Sequence, residues 1–287
     1  MAELETRRLG RTEMRPKALG MGCASLSRHT DQESIEAVRR AIELGINYID
    51  TSPAYGDSER KLGLALEGGW RDKIYLETKA GSHPQRKGYT AQDIRWSVNN
   101  SLKMLKTDYL DAVLIHDPGD IEVPLAPGNA LDELLKMKDE GIIGFVGLGV
   151  RSHAFHKRAI ETGNIDIILT YLDYTLLDQS VSTTTIPLAK KHDVGIILAS
   201  VLSMSKLTGQ EPNNDPKAHA MWEWCNKRGI SIRDLAIQFC LGLPIDGIVM
   251  PGPGTKKHVE EVYQSATTDI PKEIWRDFKA EFSVSIN

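Results

Sequence analysis

The feature that most constrains this chain is an alternation. Short apolar runs with strand character are followed, eight times over, by longer segments with apolar residues at helical spacing. Residues 18–23 precede a helical pattern over 30–45, and 46–51 precede 58–66. The same pairing recurs for 74–79 with 90–105, 110–116 with 129–140, 143–150 with 152–162, and 165–171 with 181–191. Residues 194–200 are followed by 218–228 and by a further helix over 231–241; residues 247–251 are followed by 257–266, and a last helix lies near the C-terminus. Thr30 with Glu33 and Thr90 with Asp93 read as capping boxes at two of the helix starts. Eight strand–helix units with no linker between them predict an α/β fold, a (β/α)8 TIM barrel in one domain over 1–287. A doubly wound open sheet is the competing architecture. It usually carries a Gly-rich turn into the first helix, and Gly20-Met21-Gly22-Cys23 lacks the third glycine. The stretch 210–216 reads as a surface loop rather than a linker.

Composition enters mainly by exclusion. The 287 residues carry a net charge of −4, which gives no reason to expect nucleic acid or a membrane surface as a partner. No apolar run is long enough to span a bilayer, and the start Met1-Ala2-Glu3-Leu4-Glu5 lacks the blocks of a signal peptide. Three scattered cysteines, Cys23, Cys225 and Cys240, make neither a disulfide framework nor a zinc site, and a reducing cytoplasm is the expected compartment.

In such a barrel, chemistry gathers where strands end. The second strand ends on Asp50, with Tyr55 in the loop behind it; the third ends on Lys79 and the fourth on His116. Neighbouring strands lie about 5 Å apart, so the three ends can converge. Taken singly, a carboxylate after a strand is usually a turn or cap residue, a lysine a solvated charge, and a tyrosine packing. Their joint occurrence on three consecutive strands points to function instead. A phenol titrates near ~10, a neighbouring ammonium lowers that value, and a carboxylate keeps the ammonium charged and aimed. With a histidine to orient a carbonyl oxygen, the set suits proton transfer at a forming or breaking alkoxide. The side chains offer no hydride donor, so a cofactor must carry the hydride.

The stretches "RRLGRTEMRPKALGMG", "GINYIDTSPAYGDSERKLGLAL", "IYLETKA" and "LKTDYLDAVLIHD" resemble, across essentially the whole chain, the aldo-keto reductases. The resemblance implies a catalytic tetrad of Asp50, Tyr55, Lys79 and His116, with Tyr55 the acid–base group. It also implies a nicotinamide cofactor, NADP or NAD, lying across the C-terminal rim. At the family's cofactor positions this chain has Arg151 and Ser152 after strand five, Thr170 at strand six, and Ser200 and Leu202 after strand seven, where the family often has Ser-Asn, Gln and an aromatic residue. The Ala-Ser and Leu-Ser-Met of "LASVLSMSKLTG" are similar to the galactose and fucose dehydrogenases, a sugar-oxidising branch. After the last strand, Gly252 and Gly254 lead into a helix start at Thr255, an anion site of backbone N–H groups and helix dipole. The resemblance places the adenosine phosphates there. Lys256 and Lys257 read either as solvated charges or as contacts to a 2′-phosphate, which slightly favours NADP.

Three functions follow. The first is an NAD(P)-dependent oxidoreductase acting on a carbonyl or hemiacetal, with a sugar or sugar derivative as substrate. The second is a metal-dependent barrel hydrolase or isomerase, which needs several His, Asp or Glu at strand ends where only Asp50 and His116 stand. The third is a non-catalytic cofactor-binding subunit of the same fold. The strand ends also leave Cys23, Ser25, Trp222 and the loop 117–120 as candidate pocket residues, and place Cys225 and Cys240 on helices as core thiols.

Overall fold

The structure, a computed structural model, describes residues 3–284, so residues 1, 2 and 285–287 of the expected domain and leader reading lie outside the described residues. Eight parallel strands form one sheet in chain order: β1 (Met21–Gly22), β2 (Tyr48–Asp50), β3 (Tyr75–Ala80), β4 (Leu110–His116), β5 (Ile143–Gly149), β6 (Ile167–Tyr171), β7 (Gly195–Ala199) and β8 (Gly247–Met250). The ring closes where the last strand lies beside the first. Gly20 N–H donates to the Val249 carbonyl at 2.8 Å, and Val249 N–H to that of Ala18 at 2.9 Å.

The helices wrap this ring: α1 (Asp31–Glu43), α2 (Ser58–Leu66), α3 (Ala91–Leu105), α4 (Ala130–Asp139), α5 (His153–Ile160), α6 (Thr185–His192), α7 (Pro216–Asn226), α8 (Ile232–Leu241), α9 (Lys256–Thr267) and α10 (Lys272–Phe282). Both expected capping boxes form, Thr30 with Glu33 and Thr90 with Asp93.

Strand alternation splits the core in two. Ile49, Leu76, Val113, Ile115 and Ile168 face outward into the large cluster shared with the helices. Tyr48, Ala112, Leu114, Ile167, Leu169, Ile197, Ile248 and Met250 fill the barrel itself. Leu9 and Met14, from the hairpin near the N-terminus, join this inner cluster. A Cβ on Gly195 would come within 2.9 Å of Leu9, so the hairpin caps the end where β7 begins. The other end is left for the strand termini.

The structure departs from expectation in two places. The helix read over 181–191 is divided into a short 3-10 turn, Ser180–Thr183, and α6. Pro187 lacks an N–H, and dividing the segment puts it in the first turn of α6, where no intrahelical donor is needed. The loop after β3 also holds a small hairpin, Ser82–His83 with Arg86–Lys87.

Candidate active site

The inward rows of three strands converge on one spot. Tyr48 and Asp50 share the inner face of β2; Tyr75, Glu77 and Lys79 that of β3; Ala112, Leu114 and His116 that of β4. Parallel register sets Asp50 opposite Glu77, and Lys79 opposite Leu114. Each polar end therefore tops its inward column at the C-terminal mouth.

Lys79, only 1% exposed, forms an ion pair with Asp50 and also donates to the Thr51 carbonyl at 2.9 Å. Burial opposes the ammonium, but its acidic neighbours, the Asp50 carboxylate foremost, outweigh it and lift the Lys79 pKa above the ordinary lysine value. Tyr55 arrives on a tight turn, its N–H bonded to the Ser52 carbonyl at 3.0 Å, with Gly56 behind it at φ +61°. Its ring centre lies 4.9 Å from Lys79 Nζ and 5.9 Å from the His116 ring, which meets it edge-on at 88°. Burial pushes the phenol's pKa up, and the Lys79 charge opposes this without cancelling it. The net direction reverses the depressed pKa expected from the lysine alone, because desolvation of the phenolate is the larger effect.

His116 is held neutral. Burial, and then the Lys79 charge, push its pKa down to about 3. Ser52 Oγ accepts from Ala54 N–H at 3.1 Å, which frees its own O–H for His116 Nδ1 at 3.2 Å. Ser82 Oγ also contacts Nδ1. Nδ1 is thus engaged by the serine hydroxyls, and Nε2 points toward Asp117 Oδ2 at 3.5 Å. Tyr171 donates to Asp117 Oδ1 at 3.1 Å, and Tyr89 to the His116 carbonyl at 2.7 Å. Ser52, Ser82, Tyr89 and Tyr171 were not singled out from the sequence. Among them only Ser52 lies within the stretch quoted for the tetrad.

The cofactor candidates are less uniform. Thr170 is fully buried on the outward face of β6, its hydroxyl bonded to Asp173 in the loop that follows the strand. By the period of two, Ile167, Leu169 and Tyr171 face inward, so Tyr171 reaches the mouth from this strand. Arg151 is exposed and pairs with Asp178 at 3.2 Å. Ser152 caps α5, accepting from Phe155 N–H at 3.4 Å. Ser200 opens the loop after β7 at φ +53°, and Leu202 packs against the outer core. Gly252 and Gly254 form the turn into α9; Gly252 O accepts from Ser25 Oγ at 3.0 Å, and Thr255 caps the helix, accepting from His258 N–H at 3.2 Å. A Cβ on Gly254 would stand 2.4 Å from His29 and 3.1 Å from Ser25, so only glycine lets this turn lie so close. Lys256 and Lys257 are exposed on the first turn of α9. These N–H groups, the glycine cradle and the lysines fit a nucleotide phosphate.

Of the other pocket candidates, Cys23 is fully buried, and Trp222 donates to the Gly209 carbonyl at 3.0 Å. Cys225 and Cys240 are buried. Among the described residues no group of three His, Cys, Asp or Glu is placed to hold a metal ion. A cavity of about 670 Å³ lies at the opposite end between Arg7, Val194 and Ile245, away from all four tetrad residues. Among the described residues no helix is long and apolar enough to cross a membrane.

Comparison with known proteins gives consistent relatives. The model of the aldo/keto reductase family matches residues 18–280. The chain is 30% identical to the L-galactose dehydrogenase of Arabidopsis thaliana, over 93% of this chain and 89% of that protein. It is 27% identical to the D-threo-aldose 1-dehydrogenase of a Pseudomonas species, over 91% of this chain and 92% of that one. An aldo-keto reductase from Bacillus halodurans, solved in its holo form, superposes with a TM-score of 0.82 at 25% identity, covering 98% of this chain and 96% of that one.

Proposed function

The chain belongs to the aldo/keto reductase family and is an NAD(P)-dependent oxidoreductase, and from that premise we propose that its substrate is a sugar, reacting at a carbonyl or hemiacetal carbon with Tyr55 as acid and base. The observation that carries this reading is the cluster of Tyr55, Lys79, Asp50 and His116 at one end of the barrel.

A bound nicotinamide supplies or removes the hydride. The protein's share is proton handling and orientation. Tyr55 gives its phenolic proton to the oxygen in reduction and takes it back in oxidation. Lys79, held charged by Asp50, favours the phenolate that this leaves. His116 Nε2 aims the substrate oxygen at Tyr55 and stays neutral while doing so. Asp117 and Tyr171 sit beside that nitrogen and add an acceptor and a hydroxyl, which suits a substrate with further hydroxyl groups. The two dehydrogenase relatives, both named for sugar substrates, support the same class. Gly252, Gly254, Thr255 and Lys256 would hold the phosphates, with Arg151, Ser152, Ser200 and Leu202 nearer the nicotinamide. Lys256 forms no ion pair among the described residues, which supports NADP over NAD.

The test is nicotinamide absorbance with NAD and NADP against aldoses, sugar ketones and simple aldehydes. Turnover on a sugar is expected, with Tyr55→Phe lowering kcat at least ~10²-fold while cofactor affinity holds. Full activity in Tyr55→Phe would refute the acid–base assignment. Cofactor binding without turnover on any sugar would favour a binding subunit.

A further inference from the structure

Glu77 is the residue the mechanism leaves unexplained. It is 0% exposed, inside the barrel, directly below Lys79 on β3 and opposite Asp50 on β2. Its Oε2 accepts from the Tyr48 hydroxyl at 2.7 Å, and Tyr48 is itself fully buried. Its Oε1 is buried and receives no hydrogen bond from any donor. Yet Glu77 and Asp50 are register partners on neighbouring strands, so the two carboxyls stand side by side on the inner face.

Two buried carboxyls that close cannot both be ionised. One ammonium, Lys79, serves the pair. It is bonded to Asp50, so Asp50 keeps the negative charge. The groups facing Glu77 complete the account: Tyr48 and Asp50 from β2, Lys79 from its own strand, and uncharged Ala112 at its level on β4. A proton on Oε1 turns the orphan acceptor into a donor and the repulsive contact into an O–H···O⁻ hydrogen bond.

We propose that Glu77 is a positioning residue for the proton-transfer site, a neutral carboxylic acid that donates to Asp50 and so limits how far Asp50 neutralises Lys79. The inference rests on the reading of Tyr55 as the acid–base group. The row Tyr48–Glu77–Asp50–Lys79 then runs up the barrel to the phenol, each group held by the one below. With part of its charge engaged by Glu77, Asp50 offsets the ammonium less, and the ammonium acts more strongly on Tyr55. Burial raises the Glu77 pKa well above the ordinary carboxyl value, the neighbouring Asp50 charge adding to it, in agreement with a proton held at neutral pH.

The experiment compares wild type, Glu77→Gln and Glu77→Leu. Gln keeps a donor toward Asp50, whereas Leu keeps volume only. In Glu77→Leu the phenol's limb in the pH profile of kcat/KM is expected to move to higher pH. Its kcat should fall about tenfold, short of the ~10²–10⁴ lost with the acid–base group itself, with KM nearly unchanged. Glu77→Gln is expected to restore the limb and most of kcat. Unmoved profiles in both variants would overturn the proposal. So would equal losses in both accompanied by equal drops in melting temperature, because these mark packing alone. Infrared difference spectra of the resting protein, wild type minus Glu77→Gln, give a readout that needs no turnover. A protonated carboxyl C=O band is expected; a carboxylate pair in its place would refute the neutral acid even if no substrate is ever found.

Discussion

The Tyr55 phenol receives opposite influences: burial raises its pKa, and the ammonium 4.9 Å from its ring centre lowers it. Its protonated form therefore dominates at neutral pH, which suits proton donation. Oxidation, where the phenolate must act as base, should gain rate as pH rises through the phenol's titration. Lys79→Met removes the opposing influence, so the same limb should move to still higher pH in kcat/KM; a limb that moved down would show that Lys79 does not act on Tyr55. At this scale the sequence was legible where chemistry and strand ends coincide. Asp50, Lys79 and His116 each terminate an inward row, and a period of two finds such residues. Ser82 was not legible, because its partner His116 lies 34 positions away and only the fold brings them together. Glu77 was passed over for a related reason. It sits mid-strand, and nothing local says that its register partner is Asp50.

Among elements, α3 shows how a local signal survives folding. Thr90 accepts from Asp93 N–H at 3.3 Å, while the Asp93 carboxylate receives the Thr90 N–H. Thr90→Ala should cost about 1 kcal/mol, read as a fall of roughly 2 °C in melting temperature with kcat unchanged. An unaltered melt would mean that the box is dispensable. Capping and apolar spacing are encoded within a few residues, so Ser58–Leu66 and Leu110–His116 fall where the pattern put them. The segment 181–191 misled because apolar spacing runs through Thr184, whose backbone at φ −119° and ψ −81° leaves the helical region ahead of Pro187. The phase of β6 was not legible. A strand gives no sign of which phase faces the barrel when both faces are apolar, and β6 is buried on both.

For the whole molecule, acid is the expected weak point. His116, and also His156 between the Val150 carbonyl at 2.7 Å and the Thr185 hydroxyl at 2.8 Å, are buried and neutral. Burial pushes the His156 pKa down to about 4, as it does His116 to about 3. Folded values below unfolded ones mean that the unfolded chain binds more protons below about 6.5, so these groups favour the fold above that pH and lose that contribution below it. Unfolding free energy should thus fall between pH 6.5 and about 4 by up to ~1.4 kcal/mol per pH unit for each histidine. His156→Gln should flatten that slope in denaturant titrations; a slope identical to wild type would place the acid sensitivity elsewhere. The seam between β1 and β8 has a different consequence. Its two sides, Ala18 with Gly20 and Val249, are separated by nearly the whole chain. During synthesis the β1 edge emerges first and waits unpaired until the ribosome has released residue 250. Any sheet that forms before then carries an exposed edge, the feature most open to wrong pairing and to capture by chaperones.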